Sequence, residues 1–190
     1  MFRALAYVLL GWLLIAAVPG LARVLELTIM LPSTTAVLIT HVAFARDEHP
    51  TAVGLAIAIV LGYLEDVHQG APVGTLSLAH GLAFLAMRWV AARIALHGIL
   101  SRSVASAATI ALVDLATWAI LFVLAQPLGI GREALGHALW QTRWHLLATL
   151  LVAHPVWLLT DSLFSLLRLD RRPVEATPSR RSPSGLTRGS

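Results

Sequence analysis

The sequence predicts an all-α integral membrane protein, a bundle of six transmembrane helices, on three observations. Of its 190 residues, 57% are hydrophobic and only 13% charged, where a soluble domain carries about a quarter charged residues. The mean hydropathy is +0.77. The apolar residues also fall into long runs separated by short polar or Gly/Pro-containing stretches, most of them near the roughly 20 residues a helix needs to cross a bilayer. Residues 1–169 form the membrane domain, with no room beside it for a large soluble one. The segment 170–190 is rich in Ser, Pro and Arg; it lacks the apolar surface to fold and is expected to be a disordered, basic cytoplasmic tail.

The first span runs from Phe2 to about Leu25. It is longer than a signal-peptide core and is expected to be a retained helix, kinked or shortened at Pro19 and Gly20. The second covers Leu27 to Ala45, with an irregular start at Pro32, Ser33 and Thr34, and a polar loop Arg46–His49 follows. Pro50 suits the first position of the third span, which must reach about Gln69 to cross. The fourth, Thr75 to about Ala92, ends near Arg88 and Arg93, whose stems can run along the helix to place the charge at the interface. The fifth is Ser103–Ala125. A loop from Gln126 to Arg143 contains Pro127, Gly129 and Gly131, and the sixth span, Trp144–Leu167, carries Pro155. Trp140 and Trp144 are placed as interfacial anchors. With both termini inside, eleven of the fourteen basic residues fall on the inner side and only Arg23, Arg132 and Arg143 on the outer. That is the positive-inside pattern.

The most informative stretch closes the third span, from Gly62 through Glu65 and Asp66 to Gly70, Pro72 and Gly74. Gly70 suits the position just past a helix end, and Pro72 keeps the helix from resuming. Carboxylates at a helix C-terminus oppose its dipole and are costly in lipid, so Glu65 and Asp66 need protein or water around them and a partner. Upstream, Gly54, Ala58 and Gly62 recur every four residues, a ridge on which another helix can approach closely.

Asp114 sits near the middle of the fifth span and His154 at a comparable depth in the sixth. A midplane aspartate must face the bundle and be paired, so an Asp114–His154 contact is expected. Asp161 has Arg168 two turns on as a candidate partner, while His41 and His80 read as satisfied polar residues near helix ends. Glu65, Asp66 and His68 offer too few ligands for a hard or borderline cation, so no metal site and no cofactor are expected. Cysteine is absent, which excludes disulfides and thiolate chemistry. The chain lacks Gly-x-Ser-x-Gly, His-Glu-x-x-His and phosphate-loop motifs, and Ser77 with His80 has no orienting third group. The net charge of +4 is concentrated in the tail rather than on a basic folded face, which argues against nucleic acid as a partner.

Gly62-x-x-x-Asp66 followed by Gly70-x-x-x-Gly74 and an apolar helix resembles the MreD family of rod shape-determining membrane proteins. The likeness continues in order through Asp114 in the fifth span, Pro155 in the last and the basic end Arg168, Arg171 and Arg172. It covers about residues 1–170, while the tail is longer than the family pattern and the first two spans carry no family marker. The resemblance implies a fold similar to the substrate-binding subunits of energy-coupling vitamin transporters. It also implies a non-catalytic scaffold in the bacterial inner membrane that binds a bitopic MreC-like protein. Through that partner it would connect MreB-type filaments with peptidoglycan synthases. The tail, with Arg168, Arg171, Arg172, Arg180 and Arg181, is suited to anionic lipid at about 1 kcal/mol per arginine held near the surface. Whether the chain forms a homodimer through the Gly54–Ala58–Gly62 ridge is left open by the sequence. The alternative function is the substrate-binding subunit of a small-molecule transporter, with a ligand pocket at the Glu65–Gly74 mouth.

Overall fold

The computed structural model describes residues 2–24, 26, 31–45, 50–70, 72–96, 98–128 and 132–167. They form six α-helices: α1 (Phe2–Val24), α2 (Thr34–Phe44), α3 (Thr51–Gln69), α4 (Thr75–Ala91), α5 (Gly98–Leu128) and α6 (Arg132–Leu166). No strand occurs among the described residues. The tail arginines Arg168, Arg171, Arg172, Arg180 and Arg181 lie outside the described residues.

Among the described residues, four helices are long and apolar enough to cross a membrane: α1, α3, α5 to Leu124, and α6 from Thr142. The protein is therefore an α-helical membrane protein. Six comparable spans are not what forms, because α2 has 11 residues and α4 has 17. At 1.5 Å per residue α2 rises about 16 Å, roughly half a hydrocarbon core. Its predicted start at Leu27 is replaced by an N-cap at Ser33, whose side chain accepts the N–H of Ala36 at 3.2 Å.

α2 is the centre of the fold. Every residue from Thr34 to Ala43 is buried, and all five other helices pack on it. Hydropathy alone reads such a segment as a membrane span, since it does not distinguish burial in lipid from burial in protein. Polar contacts tie α2 to its neighbours: Ser33 N–H donates to Thr149 Oγ1 on α6 at 3.0 Å, and the hydroxyls of Thr40 and Thr109 on α5 lie 2.6 Å apart. At its C-terminus Arg88 of α4 donates to the carbonyl of Ala43 at 3.1 Å, a cation where the helix dipole favours one. Apolar packing around it joins Leu38, Val42, Leu61, Phe84 and Trp157. The outward faces of α1, α4 and α5 carry exposed Leu5, Leu9, Leu13, Leu78, Leu82, Leu115 and Phe122, as a lipid-facing surface requires.

Other boundaries also shift. α1 continues through Pro19 to Val24. Pro50 is the N-cap of α3 rather than its first helical residue, its carbonyl accepting from Val53 and Gly54. The predicted loop Gln126–Arg143 is largely helical, because α5 runs to Leu128 and α6 starts at Arg132. Ala, Leu, Glu and Arg dominate that start, and they are strong helix formers with no proline among them until Pro155. Arg143 lies over the ring of Trp140 at 3.2 Å, with Trp144 at 5.0 Å.

Candidate functional site

The α3–α4 hairpin is built from the glycine and acid motif. Gly70 closes α3 in the left-handed region (φ 68°), and Gly74 holds φ 99° at the N-cap of α4, conformations that side chains with a Cβ resist. A glycine N-cap has no side chain to satisfy the first amides of its helix. Asp66 supplies that acceptor from the end of α3. Its Oδ1 accepts the Leu76 N–H at 2.9 Å, and its Oδ2 accepts Gly74 N–H at 2.9 Å and the N–H and hydroxyl of Ser77 at 3.3 Å. The carboxylate is fully enclosed. Its charge lies near the unfavourable end of α3 but points at the favourable end of α4, so the helix-dipole term works for it. Pro72 contributes the carbonyl that accepts Thr75 N–H at 3.1 Å.

The small-residue ridge faces inward. A Cβ on Gly62 would stand 2.6 Å from the Leu76 carbonyl oxygen and 2.7 Å from Ser77 Cα, and one on Gly54 would meet the Phe84 ring at 2.4 Å. Ala58 between them is buried. The ridge is the seat of α4, so it is not an open face for a second copy of the chain.

Glu65 occupies the same turn as Asp66. Its Oε1 accepts from Gln69 Nε2 at 2.9 Å, and its Oε2 lies 3.2 Å from His80 Nε2. The third member of the considered cation set, His68, turns to the Leu64 carbonyl at 2.7 Å. Among the described residues no group of three or more His, Cys, Asp or Glu side chains is placed to hold a metal ion.

The expected Asp114–His154 pair is replaced by Asp114 Oδ2 with His145 Nδ1 at 3.7 Å. Two geometric reasons account for this. His154 follows His145 by nine residues, which on a 3.6-residue helix puts it on the opposite face. The contacts Trp157–Ser106 and Asp161–Arg102 set the antiparallel register of α6 on α5, and in that register His154 is level with Thr109. His154 Nδ1 is buried with no hydrogen-bond partner among the described residues.

At the opposite end of the molecule a second polar set converges, which the sequence reading did not assemble. Tyr7 Oη lies 2.7 Å from His41 Nδ1, and His41 Nε2 lies 2.9 Å from Asp161 Oδ1. The neutral ring satisfies both contacts when the tyrosine donates to Nδ1 and Nε2–H donates to the carboxylate. Arg102 lies on Asp161 at 3.4 Å; Arg168, its expected partner, lies outside the described residues. Trp157 packs on the His41 ring at 4.6 Å and donates its indole N–H to Ser106 Oγ at 3.2 Å. Beside this set lies a cavity of about 400 Å³ lined by His41, Phe44, Arg102 and Trp157 with Ile94 and Leu96. The only sequence signals for it were four polar or aromatic residues on four separate helices.

In comparison with known proteins, no family model matches the chain, and no curated protein or solved structure does so either.

Proposed function

We propose that this chain is a non-catalytic membrane scaffold of the bacterial cell-elongation machinery, similar in role to the MreD family. In this reading it sits in the inner membrane with both termini cytoplasmic, binds a bitopic MreC-like protein and connects MreB-type filaments to peptidoglycan synthases. In this reading α1, α3, α5 and α6 cross the membrane, and α2 is sheltered by the other five helices. The observation that carries the reading is the use of the Gly62–Asp66–Gly70–Gly74 motif. Its members close one hairpin, and the Asp66 carboxylate is occupied by three backbone amides and a hydroxyl. A motif used for architecture fits a scaffold better than a ligand mouth. The basic tail adds an anionic-lipid contact at the cytoplasmic face.

The alternative, a substrate-binding subunit of a small-molecule transporter, draws on the 400 Å³ cavity with its aromatic and polar lining. That cavity lies at the opposite end from the Glu65–Gly74 mouth, where such a pocket was expected.

The test is affinity purification of the tagged, full-length chain from its native membrane in a mild detergent, followed by identification of what accompanies it. Co-purification of an MreC-like protein with wall synthases is the expected result. Recovery of an ATPase-containing transport module, or of a tightly held small molecule, would overturn the scaffold reading.

A further inference from the structure

His80 is enclosed between α3 and α4, with about 1% of its surface exposed. Its Nδ1 lies 2.8 Å from the carbonyl oxygen of Leu76, one turn back on α4. A carbonyl only accepts, so Nδ1 carries a proton, and a neutral ring then has a bare lone pair on Nε2. That nitrogen lies 3.2 Å from Glu65 Oε2. Neither atom has an aligned hydrogen-bond partner among the described residues. An ionised carboxylate oxygen also only accepts. A bare ring nitrogen and a carboxylate oxygen this close in a buried site repel each other, whereas one added proton makes the contact attractive.

We propose that Glu65 and His80 form a proton-binding site, holding one proton more than an ionised carboxylate and a neutral imidazole together carry. The proton ties the last turn of α3 to the first turns of α4, beside the Asp66 cap. Whether it resides on nitrogen or oxygen, the pair presents one donor and one acceptor. Of the charged groups around the pair, Asp66 acts on His80 from α3. His145 of α6, the partner of Asp114 on α5, acts with Glu65. This inference is independent of the scaffold reading, since it concerns the hairpin alone.

The test is nitrogen NMR of the full-length chain in lipid bilayers at neutral pH with isotope-labelled histidine, together with infrared detection of protonated carboxyl groups. The eight histidines are resolved by subtracting the His80→Gln spectrum. If that variant fails to fold, Glu65→Gln provides the assignment, because its amide can donate to Nε2 without an added proton. The expected result is a His80 ring protonated on both nitrogens, or a protonated carboxyl signal that disappears in Glu65→Gln. A His80 ring with a single N–H, beside no protonated carboxyl group, would overturn the proposal.

Discussion

Asp66 on α3 accepts the backbone N–H of Leu76 on α4 at 2.9 Å, and so provides the cap that Gly74, at the N-cap position itself, has no side chain to make. One enclosed carboxylate thus closes two helices. The glycine at φ 99° turns the chain tightly enough for the amides of the second helix to face the end of the first.

Asp66→Ala strands the buried amide of Leu76. An unsatisfied buried donor costs about 1–3 kcal/mol, so the variant is expected to lose that much stability in reversible unfolding from detergent micelles. Asp66→Asn keeps one carbonyl oxygen as acceptor and falls between the variant and the wild type. A ranking in which Asn is as damaging as Ala would point to the charge rather than the hydrogen bonds.

Gly54 and Gly62 differ in what an added methyl meets. At Gly54 it is the edge of the Phe84 ring, and at Gly62 the backbone of Leu76 and Ser77. Each alanine substitution is expected to cost about 1–3 kcal/mol by overpacking. Phe84→Leu should offset the Gly54→Ala penalty, with a coupling of about 0.5–3 kcal/mol in a double-mutant cycle. The same second change should do nothing for Gly62→Ala. Equal coupling at both positions would remove the distinction.

Within the Tyr7–His41–Asp161 chain, Tyr7→Phe removes one hydrogen bond, for about 1 kcal/mol. His41→Ala removes two contacts along with ring packing against Trp157 and Phe164, so it should cost more than Tyr7→Phe. Arg102→Gln should matter least for stability, about 0–1 kcal/mol, because Arg102 and Asp161 are 35% and 48% exposed. Unfolding measurements on the three variants check the order.

If His145 is the partner of Asp114, Asp114→Asn should perturb the ring signals of His145 and leave those of His154 in place. Histidine NMR of the variant reads this directly; movement confined to His154 would reinstate the pairing expected from depth alone.

Gly70 and Pro72 were legible in the sequence because their effects are local: one tolerates a left-handed backbone and the other cannot donate an N–H. The ridge Gly54–Ala58–Gly62 announced a close helix contact but not its occupant, since small residues look the same whether α4 or another molecule lies on them. The role of Asp66 was hidden because its donors lie eight to eleven residues ahead, across a turn whose geometry depends on two glycines. The choice of His145 over His154 depends on the register of α5 against α6, which contacts such as Trp157–Ser106 settle and no single helix encodes. The Tyr7–His41–Asp161–Arg102 set draws on α1, α2, α6 and α5, so only the assembled bundle brings it together.

The central structural claim is that Asp66 caps α4, and amide hydrogen exchange on the wild-type chain and Asp66→Ala measures it most directly. The amides of Gly74, Leu76 and Ser77 should lose protection in the variant while those in the middle of α5 keep theirs. Unchanged protection at Leu76 would contradict it.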